Sequence, residues 1–185
     1  MVWLAVSGKF HSRLVVFPSN SVDHRVYIAK ALDEAQRFGT SVHGMNWTFA
    51  QDGATPHTHH LTQQWCSDHL CSFIPKNIWL PNSPDVNPLD YCIWHELVDA
   101  MRWQLGSNKE HWIHEVKRAS TQLHCETLEK SCLSWWKRVW SLLDNDGAYV
   151  VWARHIRFCS MLFLNNRNKA LFLSKNKWRH TQLYY

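Results

Sequence analysis

Apolar positions change their period along this chain, and the changes divide it into elements. Residues 1–7 and 13–17 are short runs rich in β-branched and aromatic side chains, separated by Gly8 and a polar stretch. This pattern predicts two neighbouring strands joined as a hairpin. Across 22–38, Val22, Val26, Ile28, Ala29, Leu32 and Ala35 recur at helical spacing, with Ser21 as the expected cap and Gly39 as the expected stop. Residues 47–50 predict a third strand leading into Asp52. A helix over 57–70 follows, begun after Pro56 with Thr55 as its cap. Asp52 is thereby placed at the carboxyl end of a strand.

A fourth short strand is expected within 73–79, interrupted by Pro75, and Pro81, Pro84 and Pro88 then impose an extended loop. Helix resumes after Pro88. Over 89–105, Tyr91, Ile93, Trp94, Leu97, Val98, Met101 and Leu105 fall on one face. Asp90 sits in the first turn, where a carboxylate meets the positive end of the helix dipole. No proline occurs after residue 88, and 111–123 and 125–143 predict two more helices ending at Asp144-Asn145-Asp146-Gly147. Strands first, alternation next and helices last predict a mixed α/β domain with helices packed on a sheet.

Composition sharpens this picture. With 185 residues, 45% of them hydrophobic and 12 Trp, the chain has enough apolar surface for a folded core. The longest unbroken apolar run, residues 1–6, is far short of the roughly 20 residues that cross a bilayer, and no secretory pattern is read at the start. Six cysteines without a C-x-x-C pair support neither a disulfide framework nor a zinc site, which favours a reduced, intracellular protein. After Asp146 there is no acidic residue, while Arg154, Arg157, Arg167, Lys169, Lys175, Lys177 and Arg179 follow. The remainder holds thirteen Lys and Arg against fifteen Asp and Glu, so the formal charge of +5 belongs to the tail. Attraction to nucleic acid can be argued for that tail alone.

The chemistry concentrates in two blocks, Gln51-Asp52-Gly53-Ala54-Thr55-Pro56-His57-Thr58 and Ser83-Pro84-Asp85-Val86-Asn87-Pro88-Leu89-Asp90-Tyr91. Asp52 and Asp90, with 37 residues between them, are the candidate catalytic and metal-binding pair, because two such carboxylates can share a divalent cation. Asp85 and Glu96 are second choices. Taken singly, Asp52 reads as a turn aspartate and Asp90 as a helix-start residue. His57, His59 and His60, with Cys66 and Cys71, fit no common zinc spacing and read as solvated helix-start histidines. Trp94, Trp135, Trp136 and Trp140 lie on helical stripes and are expected in the core rather than as base-stacking platforms.

These blocks resemble those around the second and third catalytic aspartates of mariner-type transposases, of the superfamily that cuts and joins DNA with three metal-binding carboxylates. The 37-residue gap and the aspartate at the third position match the mariner-like subgroup. Residues 1–3, 14–17 and 26–28 also match the strands and helix preceding the second block, and 133–144 matches the family's last helix. The resemblance implies an incomplete ribonuclease H-like fold, a short mixed sheet with flanking helices, over 1–105. A helical C-terminal part over 106–147 and a basic tail over 148–185 outside the likeness complete the expected division.

It also implies Mg²⁺ or Mn²⁺ as cofactor, DNA transposon ends as partner, a nuclear location and no membrane association, with a homodimer left open. The family's first aspartate and its helix-turn-helix modules would lie upstream of the matched segment. This chain is therefore expected to be homologous to a strand-transfer enzyme yet inactive alone. Two alternatives stay open: a noncatalytic, transposon-derived nucleic-acid-binding protein that uses the tail, and a poorly folding relic whose strands lack a central partner.

Overall fold

A computed structural model describes residues 1–103 and 108–145. The expected hairpin forms. β1 (Val2–Trp3) pairs antiparallel with β4 (Val15–Val16), and β2 (Val6–Ser7) with β3 (Phe10–His11). Gly8, at φ 53°, takes the first position of the two-residue turn, a conformation that favours glycine. Between the two ladders the register slips by one residue, so the returning strand carries one more residue than its partner. The Ser12 amide donates to the Ala5 carbonyl (2.8 Å) and the Ala5 amide to Ser12 Oγ (3.0 Å), which closes this bulge.

The first helix, α1, runs through His24–Tyr27, a π turn at Ile28–Leu32 and Asp33–His43. Two terminal expectations are corrected. The cap is Asp23, not Ser21: its Oδ1 accepts from the Val26 amide (2.9 Å). Gly39 does not stop the helix, which continues to Gly44 at φ 62°. Gly39 is there for room, since a Cβ would lie 2.5 Å from the Trp47 indole.

The segment expected as one helix over 57–70 is two pieces, α2 (Thr55–Thr58) and α3 (His60–His69), parted by extended backbone at His59. Thr55 lies inside the first turn rather than capping it. Phe49 and Phe73 form a parallel bridge, the Phe49 amide donating to the Ser72 carbonyl and the Ile74 amide to the Phe49 carbonyl. The expected third and fourth strands are thus reduced to one bridge. Beyond it, Pro75 removes a donor and the chain turns, with the Ile78 and Trp79 amides both donating to the Pro75 carbonyl.

The proline loop contains one 3₁₀ turn, Pro84–Val86. Helix α4 then starts as a π turn at Leu89–Ile93 and ends with Trp94–Asp99, short of the expected 105. Helices α5 (Lys109–Ser120) and α6 (Cys125–Asp144) follow. Asn108 caps α5 by accepting from the His111 amide (2.8 Å).

The hairpin is packed on both sides. Trp3 and Val15 join the cluster formed by Phe17, Tyr27, Leu32 and Cys66. Leu4, Val6 and Leu14 pack with Ile93 and Leu128, while Val2 and Leu14 also meet Leu97, Val116 and Ala119. This is the mixed α/β architecture the pattern of elements predicts. The stripe Trp135, Val139, Leu142 of α6 packs on Val86 and Trp79. Trp140, expected in the core, lies one residue round from that stripe and is 47% exposed, which corrects the expectation. No helix among the described residues is long and apolar enough to cross a membrane. The tail over 148–185 lies outside the described residues.

Candidate functional site

Asp52 and Asp90 border the same cleft, of about 890 Å³, although they come from different elements. Asp52 follows the Phe49 bridge and precedes α2. Its Oδ1 accepts from the Ala54 amide (3.0 Å), a local turn that sets the direction of the chain into α2. The same oxygen meets His57 Nδ1 at 2.5 Å. Both recorded bonds fall on Oδ1, so Oδ2 has no protein hydrogen bond among the described residues. The His57 contact holds the Asp52 carboxyl below its usual range, partial burial opposes it, and the Ala54 amide adds to the lowering.

His57 is itself held. Its ring lies 4.3 Å from that of Tyr27, and its side chain is only 16% exposed. The Tyr27 hydroxyl donates to Gln51 Oε1 (2.8 Å), and the His57 carbonyl accepts from Gln51 Nε2 (3.4 Å) and Gln63 Nε2 (2.9 Å). Gln51, Asp52 and His57 of the first block therefore form one network anchored on a buried tyrosine of α1. The expectation of a solvated His57 is corrected: the ring packs on Tyr27 instead of facing water. His59 stacks on His24 at 3.6 Å, while His60 is exposed.

Asp90 lies in the π turn that opens α4. The Asn87 side chain accepts from the Leu89 amide (3.2 Å), fixing the entry to the helix. Partial burial in the cleft raises the Asp90 carboxyl, and the charge of Asp52 raises it further; hydrogen bonds from the Asn87 and Trp94 side chains oppose both. Asp52 is thus among the charges that act on Asp90, and both residues border the cleft. Their neighbour Tyr91 ties the block to α6, its hydroxyl donating to the Ser131 carbonyl (2.5 Å) with Arg138 stacked 3.8 Å above the ring. Burial pushes the Tyr91 phenol up to about 12.

Asp85 and Glu96 do not border the cleft. Asp85 instead presents its carbonyl to Arg138 Nη1 (3.2 Å). Among the described residues no group of three or more His, Cys, Asp or Glu side chains is placed to hold a metal ion. Cys66 is buried, its thiol pushed up to about 12 by desolvation, and plays no part in the cleft. The residues that sequence reasoning missed are Tyr27, Gln51, Asn87 and Trp94 as supports of the two carboxylates. For Gln51, Asn87 and Trp94 the signal available was their position in or beside the two blocks; Tyr27, on α1, gave none.

No protein-family model and no curated protein matches this sequence. Solved structures do. The Mos1 transposase catalytic domain solved with raltegravir and Mn superposes with a TM-score of 0.67 at 16% identity, over 80% of this chain and 77% of that one. The same domain with raltegravir and Mg gives 0.66 at 17% identity, over the same shares. The chain thus has the ribonuclease H-like α/β fold of the Mos1 transposase catalytic domain, in agreement with the mariner-type resemblance of its two aspartate blocks.

Proposed function

We propose that the chain is a mariner-like transposase catalytic-domain fragment in which Asp52 and Asp90 hold a divalent cation, and that it does not transfer DNA strands by itself. The observation that carries this reading is the pair of carboxylates from the two blocks facing one cleft, with the Asp90 charge disfavoured by Asp52. The donors fit Mg²⁺ or Mn²⁺: both are hard carboxylate oxygens, and no Lys or Arg ion pair neutralises either among the described residues. The Mos1 structures were themselves solved with Mn and Mg.

In this reading Asp52 offers Oδ2, because His57 and the Ala54 amide occupy Oδ1 and fix the carboxylate plane. Asp90 is steered by Asn87 and Trp94. A bound ion supplies positive charge to the oxygens of a phosphodiester and lowers the pKa of a coordinated water. Two monodentate carboxylates leave most of an octahedral shell to water, so binding is weak and activity of this polypeptide alone is not expected. The proposal carries a nuclear location with it, since that is where transposon ends are found.

The test is a Mn²⁺ titration followed by thermal melting, together with nicking of supercoiled plasmid. Stabilisation by Mn²⁺ that is lost in both Asp52→Asn and Asp90→Asn supports the shared site; unchanged stabilisation in either variant removes that residue from it. Robust nicking abolished by Asp52→Ala overturns the inactivity. The second reading, a noncatalytic nucleic-acid binder, is favoured by one observation, the seven Lys and Arg without an acid after Asp146. Deleting 148–185 should then weaken DNA binding and flatten its salt dependence.

A further inference from the structure

Two helices of this fold begin against each other, and a histidine stands at each beginning. His24 opens α1 directly after its Asp23 cap, and His59 is the residue before α3, at the corner where that helix parts from α2. Their rings stack face to face, 3.6 Å between centroids and 7° from parallel. Three residues further along α1, on the same face of the helix, Tyr27 meets His57, so α1 holds both histidines of the corner. The two contacts differ in kind. Tyr27 is buried, and its hydroxyl is tied to Gln51, whereas His24 and His59 are half-buried, within reach of water.

His59 has a second task. Its Nδ1 accepts from the Leu61 amide (3.3 Å), one of the amides at the start of α3 that find no carbonyl within the helix. Only a neutral ring with its proton on Nε2 can do this, since a protonated imidazole donates from both nitrogens. Its surroundings oppose a positive charge. His24 faces it from α1, His60 lies 4.5 Å away on its own segment, and Lys76 reaches in from the loop after α3, its Nζ bonded to the Thr58 carbonyl (3.1 Å). Beside His24, Arg25 is exposed and the Asp23 carboxylate is committed to the Val26 amide (2.9 Å). Desolvation first, then His24, His60 and Lys76, hold the His59 ring below the ordinary histidine value. A cation at either helix start also meets the positive end of that helix's dipole.

We propose that the His24–His59 stack is a proton-operated latch between α1 and the α2–α3 corner, shut while His59 is neutral and sprung when both rings are charged. Protonating His59 withdraws the acceptor from Leu61, and protonating both rings sets two cations face to face at 3.6 Å, each at a helix start. Tyr27 and Lys76 remain as attachments of the corner, so the opening is local. His59 binds its proton less readily folded than unfolded. It therefore stabilises the closed corner fully above the ordinary value of 6.5, and that contribution is lost as pH falls below it toward the lower folded value. The latch does not rest on the metal reading, since Asp52 is held by His57 and not by His59.

The test titrates the full chain from about pH 8 to about pH 5, following the histidine rings and the Leu61 amide by nitrogen-resolved NMR. At the upper end His59 should carry its proton on Nε2. On descent it should titrate below 6.5, with the Leu61 amide resonance moving over the same interval. His59→Asn keeps an acceptor at the helix start without a titratable ring, so the Leu61 movement should disappear and the acid loss in thermal midpoint should shrink. His24→Phe keeps a ring in the stack without a charge and should bring the His59 titration back toward 6.5. A His59 proton on Nδ1 overturns the proposal, as does titration at or above 6.5, a Leu61 movement that persists in His59→Asn, or a His59 titration unmoved by His24→Phe. The tautomer and the titration are read on the wild type, so they decide even where a variant fails to fold.

Discussion

Two pairs of carboxylates are treated in opposite ways by this fold. Glu34 on α1 and Glu115 on α5 have side chains 8% and 3% exposed, and each is met by guanidinium. Arg13 bonds Glu34 through its Nη2 (2.7 Å), its Nε and its backbone amide, and Arg37 adds a second cation. Burial alone would raise the Glu34 carboxyl, but the bonds from Arg13 outweigh it and hold it below the usual range. Glu115 accepts from Arg118 and from the Arg102 amide (2.6 Å), and is brought down to about 2, chiefly by Arg118. Asp52 and Asp90 have no such partner among the described residues; Asp52 leans on a histidine, and Asp90 is pushed up by burial and by Asp52. Acids that fasten elements together are neutralised in place by guanidinium, whereas those in the cleft have no Lys or Arg ion pair among the described residues.

The largest break in this contrast comes from removing a fastening acid. Glu34→Ala should lower unfolding free energy by about 2 kcal/mol in urea titration, less than the roughly 3–5 kcal/mol of a fully buried pair, because Arg13 and Arg37 are 71% and 56% exposed and regain water. Asp52→Ala in the same assay should cost less than Glu34→Ala, and the reverse order would erase the distinction. Mn²⁺ at about tenfold above its dissociation constant should add about 1.4 kcal/mol to the wild type and nothing to Asp90→Asn.

Acid titration separates the pairs by sign. Glu115 binds its proton less readily folded than unfolded, so its contribution is complete above the ordinary glutamate value near 4.3 and is lost as pH falls through about 2. Glu115→Gln should flatten that acid limb. Asp90, raised in the fold, works the other way, since its ionised form is the disfavoured one. Asp90→Asn should therefore gain a few tenths of a kcal/mol at neutral pH after solvent screening, and this gain should vanish as pH falls through the Asp90 value. A loss of stability on this substitution would show that Asp90 belongs with the fastening acids.

Much of the layout was legible because it follows from local rules. The hairpin, the helix after Pro88 and both aspartate positions are set by short-range pattern, proline and turn chemistry. What escaped depends on residues distant in sequence. Gly39 looks like a helix stop, yet its role is decided by Trp47 packing against it. His57 looks solvated beside two other histidines, and only Tyr27, thirty positions earlier, shows why its ring is covered. Trp140 differs from its buried neighbour Val139 by one step around α6, finer than a stripe of apolar letters resolves. The third and fourth strands shrink to one bridge because β structure needs partners, and sequence pattern shows the strand but not its neighbour.

The single extra residue in the returning half of the hairpin constrains how this chain can vary. Side chains alternate between faces, so the bulge lets Leu14 reach the α4 and α5 side while Val15 reaches α1. Deleting Arg13, the one residue between Ser12 and Leu14, would remove a partner of Glu34 and invert every later position of that strand, sending Val15 toward the wrong layer. Length changes at the Gly8 tip should be absorbed, whereas a frame of one residue at the bulge should not, making this short stretch a ruler that fixes both layers at once.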